Sequence, residues 1–320
     1  MNSYVLGGLV GLIGAAAIAA ALWRHRPSRR WRTALLLTLI VVIVAAAVTS
    51  IGFGRWMASG DRSPIAASEI SPGITYERLL IDDAVGHLMS FDLADECLQL
   101  ITTQVRADAS VDAQMTTSWA RDQNAVAAIN SNYFFPYAAG VPWGDPTPIE
   151  GGEVNILGTV KQPGHDPISA DSEYGRVRHR VWVDTQGVPG IGLELDPDAD
   201  IAVTGRELIL EQGRVVGHVS EDYARTVVGI AEGTTRMWWL VVDGKRPGYS
   251  EGVTFDEAAG FLASIGATDA VAMDGGGSTT MVADDGSGVR MLNQTINQGI
   301  PNRERAIANH LGLVRTPGCV

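Results

Sequence analysis

Lysine is nearly absent from this 320-residue chain: Lys161 and Lys245 are the only two. Cysteine is as scarce, with Cys97 and Cys319 alone, too few for a disulfide-dense scaffold or a cysteine-built zinc module. The six histidines (25, 87, 165, 179, 218 and 310) show no zinc-ligand spacing, and His218, close to Arg225, is the one nearest a candidate site. Positive charge is short overall, 24 basic against 36 acidic residues, which excludes a general nucleic-acid binder because phosphates need a basic face. No repeat of solenoid or propeller period is present.

Acidic residues are missing altogether from positions 1–60, which hold six arginines. Removing those six from the net charge of −12 leaves −18 on the remainder, so the chain divides between two different solvents. Tyr4–Trp23 and Thr33–Phe53 are uncharged apolar runs, each near the roughly 20 residues a membrane-spanning helix needs. Between them Arg24–Arg32 is short and strongly basic. The positive-inside rule places such a loop in the cytoplasm, which predicts a two-helix hairpin with everything after about residue 56 outside the cell. The reading is therefore 1–56 as two transmembrane helices (about 4–23 and 33–53), 57–72 as a linker, and 73–320 as an extracytoplasmic domain, a two-pass protein of the cell membrane. The alternative is a signal peptide over 24–50 cleaved near Ala47-Val48-Thr49, but cleavable signals rarely follow another spanning run. Outside the membrane Cys97 and Cys319 can form a bond, or remain two separate thiols with Cys97 in a strand.

Alternating or continuous apolar stretches predict strands at Ile74–Ile81, Gly86–Leu93, Leu98–Gln104, Val126–Asn130, Val177–Val183, Glu207–Glu211, Thr226–Ala231, Met237–Val242, Ala270–Met273 and Ala308–Val314. A helix is expected over Thr254–Ile265, where Thr254 and Glu257 have capping-box spacing and Gly266 stands at the stop. A second is expected over Asp112–Asp122. The fold class is α+β, a strand-rich mixed domain preceded by the two-helix transmembrane hairpin.

The sharpest local feature is Met273-Asp274-Gly275-Gly276-Gly277-Ser278-Thr279-Thr280-Met281. Three glycines after a buried strand allow a sharp turn and close backbone approach to a ligand, with amides of Gly275, Gly276, Gly277 and Ser278 available to an anion. Ser278 or Thr279 can then cap a following helical turn and add its dipole. Familiar glycine loops fail on the letters: no lysine for a P-loop, and Thr280 where a dinucleotide fingerprint or a nucleophile elbow needs glycine.

Asp274–Thr279 resembles the Asp-Gly-Gly-Gly-Ser signature of the phosphodiester glycosidase family. Four further stretches are similar to that family's segments in the same order: Ala128–Phe134, Arg225–Gly229, Val242–Arg246 with Ser250-x-Gly252, and Glu304–Asn309. Together they extend over roughly residues 85–315. The family often has Asn-Gly-Gly where this chain has Asn130-Ser131-Asn132, which adds side chains beside the sugar site.

The resemblance implies hydrolysis of the glycosidic C–O bond of a sugar-1-phosphodiester in a cell-envelope glycan or glycolipid, for which phosphate is already a good leaving group. Such a site must bind the diester anion, stabilise an oxocarbenium-like centre and supply a nucleophile or activated water. Asp274 is the first candidate for that carboxylate, with Glu304 and Asp243 for a second and Glu150 an outsider. Arg225 and Arg305 are the expected phosphate clamps, since guanidinium offers two parallel donors. Asn130, Asn132, Tyr133 and Thr226 are candidates for the sugar. A hard cation such as calcium, held by Asp and Asn oxygens, is compatible with the composition. Two other classes remain open: a phosphodiesterase cutting P–O, and a non-catalytic carbohydrate-binding or exopolysaccharide assembly factor.

Overall fold

The computed structural model describes residues 29–135, 148–170, 178–217, 221–316 and 318–319. The chain divides into two units, one ending at Ser59 and the other beginning at Gly60. In the first, Arg29–Met57 is a single helix. Among the described residues it alone is long and apolar enough to cross a membrane, over Leu36–Met57. It covers the expected second run and continues four residues past Phe53. Two of its polar side chains bond back to the helix: Thr49 Oγ1 donates to Ala45 O at 2.9 Å and Ser50 Oγ to Ala46 O at 2.7 Å. The first run, Tyr4–Trp23, lies outside the described residues, so the structure describes one apolar helix where a two-helix hairpin was expected.

The second unit is strand-rich with few helices. Its largest sheet has eight strands in the order Ile65–Ser71, Ile74–Ile81, Ala84–Asp92, Arg236–Val242, Arg225–Ile230, Asp269–Ala272, Glu207–Glu211 and Arg214–Val215. A five-stranded sheet runs Val289–Met291, Met281–Asp284, Ala127–Asn130, His310–Arg315, Leu98–Thr102. A three-stranded sheet of Pro189–Gly192, His179–Asp184 and Ala199–Gly205 completes the main layers, with every described pairing among these strands antiparallel.

The central strands of the large sheet are buried on both faces, which is why they read as continuous apolar runs. Met237, Trp239 and Val241 face a core shared with Ile129, Leu311, Leu313, Val181 and Val203 of the two smaller sheets. Trp238, Leu240 and Val242 face the opposite way, onto Ala258, Ala259 and Leu262 of helix Phe255–Ser264. That helix starts as the sequence predicts: Glu257 N donates to Thr254 Oγ1 at 3.2 Å and Thr254 N to Glu257 Oε2 at 2.7 Å. Gly266 at φ +101° ends the segment.

All ten expected strands are present, with ends shifted by no more than a few residues. The expected helix Asp112–Asp122 is shorter, Thr116–Asp122. The segment before it is extended because Ser110–Asp112 pairs with Glu153–Asn155 and Gln114–Met115 with Ala306–Ile307. The expected linker 57–72 contains the edge strand Ile65–Ser71, paired to Ile74–Arg78. Cys97 and Cys319 are joined by a disulfide, Cα atoms 5.6 Å apart.

Candidate active site

The glycine loop is the crossing between the two largest sheets. Asp269–Ala272 leaves the eight-stranded sheet and Met281–Asp284 enters the five-stranded one. On the way Met273 N donates to Thr226 O at 2.9 Å and Asp274 N to Ser131 O at 3.0 Å, so the loop backbone stitches the sheets together.

Each glycine has its own reason. Gly276 lies at φ +62°, and a Cβ there would stand 2.7 Å from the Tyr223 ring. A Cβ on Gly275 would be 2.9 Å from Ala224 O, and one on Gly277 2.5 Å from Arg305 Nη2. The loop amides are largely engaged within the protein: Gly275 N donates to Asp274 Oδ1 at 2.9 Å, Gly276 N to Ala224 O at 2.9 Å and Ser278 N to Gly275 O at 3.3 Å. The anticipated helix is also missing. Gly276–Ser278 makes one tight 3₁₀ turn and the chain goes straight into a strand, so Ser278 and Thr279 cap no helix and no helix dipole points at the site.

The asparagines expected at the sugar are internal fasteners. Asn130 Nδ2 donates to Asp274 O at 2.6 Å, and its Oδ1 accepts from Thr226 Oγ1 at 2.6 Å and Thr280 N at 3.0 Å, gripping both ends of the loop. Asn132 Oδ1 accepts from Asn309 Nδ2 at 2.8 Å and Thr204 N at 3.0 Å, while its Nδ2 donates to Leu157 O at 3.0 Å. Thr226, Asn130 and Asn132 are therefore buried with their polar atoms paired.

Around Asp274 the structure gathers a different set. Burial pushes its carboxyl up to about 6, against the pull of the Ser278 hydroxyl, the Arg305 charge, the Gly275 amide and the Arg206 charge. Burial, then the negative charge of Asp274, raises the Tyr133 phenol, moderated by Arg206 and Arg225. Burial lowers the Arg225 guanidinium. Arg225 is fixed by donating Nε to Val253 O at 3.1 Å and Nη2 to Glu221 O at 2.7 Å, and it lies 4.0 Å from the Phe255 ring centroid. Arg305 donates Nε to Asn297 Oδ1 at 3.3 Å and Nη1 to Ser278 Oγ at 3.4 Å. The structure thus brings together Asp274, Tyr133, Ser278, Arg225 and Arg305 from the sequence candidates.

Two candidate carboxylates stand apart from this set. Asp243 is saturated: Oδ2 accepts from Tyr249 at 2.9 Å and pairs with His87 Nε2 at 3.2 Å, and Oδ1 accepts from Gln294 N at 2.9 Å and Asn293 Nδ2 at 3.1 Å. Glu304 receives the Thr117 amide at 2.9 Å and the Thr117 hydroxyl, so it caps the start of helix Thr116–Asp122. Its carboxyl is raised, first by burial and then by nearby Glu150, against the hydrogen bonds from Thr117. Glu150 itself accepts from Met115 N at 3.3 Å. Among the described residues no group of three or more His, Cys, Asp or Glu is placed to hold a metal ion. His218 lies outside the described residues.

Sequence reading missed Arg206 and Tyr223. The only signal for Arg206 was a basic residue beside Glu207 inside the largely apolar stretch from Ile201 to Leu210. Tyr223 sits two residues before Arg225, with its ring under Gly276 and its hydroxyl receiving Lys245 Nζ at 3.0 Å.

The model of the phosphodiester glycosidase family matches residues 123–314, more than half of the chain. The chain belongs to the phosphodiester glycosidase family, a family of hydrolases. Among solved structures it is similar to a hypothetical protein from Synechocystis, at 13% identity and a TM-score of 0.58, over 80% of this chain and 64% of that one. The match thus spans less than two thirds of the Synechocystis chain. It is also similar to the catalytic domain of zebrafish N-acetylglucosamine-1-phosphodiester alpha-N-acetylglucosaminidase, auto-inhibited by its pro-peptide, at 17% identity and a TM-score of 0.57, over 79% of this chain and 88% of that one. At such identities these two show the fold. No curated protein matches the chain.

Proposed function

We propose that the chain hydrolyses the glycosidic C–O bond of a sugar-1-phosphodiester, releasing the sugar and leaving a phosphomonoester. The observation that carries this reading is a single buried carboxylate, Asp274, held near pKa 6 among arginine charges on the family's signature loop. A carboxylate in that range is ionised at neutral pH yet basic enough to take a proton. Asp274 accepts one backbone hydrogen bond, from Gly275, and is the group that attacks the anomeric carbon or activates the water that does. Arg225 and Arg305 face the diester anion and the phosphomonoester that departs, whose charge grows as the C–O bond breaks. Tyr133 lines the sugar side. Asn130, Asn132 and Thr226 hold the loop under them, and Asp243 and Glu304 position the loop 293–297 and the helix Thr116–Asp122.

The apolar helix is a membrane anchor in this reading, with the strand-rich unit outside the cell, where a disulfide between Cys97 and Cys319 persists. Its substrates are then cell-envelope glycans or glycolipids. A two-pass topology follows if Tyr4–Trp23 spans as well. Turnover of a sugar-1-phosphodiester in 18O-labelled water tests the chemistry: label in the sugar is expected, and label in the phosphate overturns C–O cleavage.

A further inference from the structure

Arg206 is anchored where the chain passes from strand Ala199–Gly205 to strand Glu207–Glu211, with its backbone N donating to Ala272 O at 2.8 Å. That places it next to the strand end from which Asp274 emerges. Gly205 allows the approach, since a Cβ there would lie 2.8 Å from Ala272 O and 2.7 Å from Val271 Cγ2. The guanidinium sits beside the Tyr133 hydroxyl, and its charge reaches Asp274 and Arg225. Its Nε is buried with no hydrogen-bond partner, and among the described residues no carboxylate forms an ion pair with it.

An unmatched charged donor in a buried position is unfavourable, because it has given up water without gaining an acceptor. Structures keep such a group where a ligand supplies the acceptor. The neighbours exclude a structural explanation by pairing: Tyr133 is a single hydroxyl, and Asp274 acts on Arg206 only at longer range. An oxygen entering the site from outside can accept from this Nε, and a net positive cluster of Arg206, Arg225 and Arg305 around one carboxylate favours an anionic one.

We propose that Arg206 is a third anion-binding arginine of this site, donating its Nε–H to a non-bridging oxygen of a phosphodiester, with Tyr133 steering the guanidinium. This rests on the proposed function for its substrate class and adds the residue that separates charged diesters from neutral glycosides. Arg225 and Arg305 have parts of their forks tied to protein acceptors, whereas the Nε edge of Arg206 is kept for the ligand.

The test uses the full chain and two probes, dimethyl phosphate (a diester monoanion) and trimethyl phosphate (its neutral counterpart), titrated by calorimetry. Wild type is expected to bind the first and not the second. Arg206→Gln is expected to weaken dimethyl phosphate binding by about tenfold or more, and Arg206→Lys, which keeps the charge but loses the Nε donor, by nearly as much. Arg121→Gln, on the exposed face of the helix Thr116–Asp122, serves as control and is expected to bind as wild type. Thermal unfolding of each variant identifies misfolding, in which case Arg206→Lys carries the test. Binding by a folded Arg206 variant within about twofold of wild type, or no binding by wild type at all, overturns the assignment. Turnover is scored separately: dimethyl phosphate binding through Arg206 without hydrolysis of a sugar-1-phosphodiester leaves the anion site standing and defeats the hydrolase reading. Hydrolysis that survives Arg206→Gln unchanged defeats Arg206 alone.

Discussion

Asp243 and Asp274 are the same residue type, both buried, each just beyond the end of a strand in the same eight-stranded sheet. Their surroundings are opposite. Asp243 is enclosed by Tyr249, His87, Asn293 and the Gln294 amide, every oxygen paired, and its backbone carbonyl takes the Ser250 hydroxyl at 2.7 Å. Asp274 has fewer donors, the Gly275 amide and the Ser278 hydroxyl, with the charges of Arg305 and Arg206 acting on it as well. A carboxylate with every oxygen paired holds a structure together, while one with fewer donors in the same dry interior is poised to react. Asn293 joins the two regions, donating to Asp243 and also to Thr279 O at 3.2 Å on the glycine loop.

The largest effect expected is on turnover. Asp274→Asn should lower kcat by about a thousandfold or more while the protein still binds dimethyl phosphate, as steady-state kinetics and calorimetry would show. Asp243→Asn should do the reverse: about 3 kcal/mol or more of stability lost by urea unfolding, because the partners of a buried carboxylate are left unmatched. Near-wild-type stability of Asp243→Asn would remove the distinction between the two aspartates. Reducing the disulfide is expected to lower stability by about 5 kcal/mol, since Cys97 and Cys319 close a loop with a sequence separation of 222.

Acidity divides the regions next. The acid limb of kcat/KM should lie near pH 6, where Asp274 takes its proton. Between the ordinary value of 3.8 and about 6 the folded form binds more protons at Asp274 than the unfolded chain does, so this group's contribution to stability falls as pH rises through that window. The change is on the order of 3 kcal/mol and should vanish in Asp274→Asn. His310 runs the other way. Buried between Thr103 and Gln114 O, it is lowered to about 3, so its contribution is lost as pH falls below 6.5. Urea unfolding at a series of pH values separates the two. The smallest effect is expected from Gly277→Ala: the new methyl displaces the flexible end of Arg305, lowering activity by about tenfold with stability changed by about 1 kcal/mol or less.

Much of this was legible in the sequence. The run Met237–Val242 announced a strand buried on both faces, and Thr254 with Glu257 announced a helix start, because period and capping are local properties. The signature Asp274–Ser278 singled out the carboxylate on which the proposed function rests. What the sequence hid was the difference between touching a ligand and holding the residues that do. Asn130 and Asn132 look like sugar binders in one dimension, but their partners Thr226, Thr280, Thr204 and Asn309 come from distant segments. Arg206 was invisible for the same reason. Its role depends on Ala272 and Tyr133, and no spacing within its own strand points to either. The glycines pointed to anion binding, while their packing against Tyr223, Ala224 and Arg305 accounts for them more directly.

The five-stranded sheet has a consequence for how the protein is made. Strand His310–Arg315 lies in its interior, between Ala127–Asn130 and Leu98–Thr102, and its first residue is opposite Asn130. Two strands synthesised early therefore wait with facing edges open until one made much later slots between them. Asn309, which fastens Asn132, immediately precedes that strand, so this contact too waits for the later strand. A chain truncated before this strand would carry most of the motifs but expose two unpaired edges to aggregation or to a chaperone.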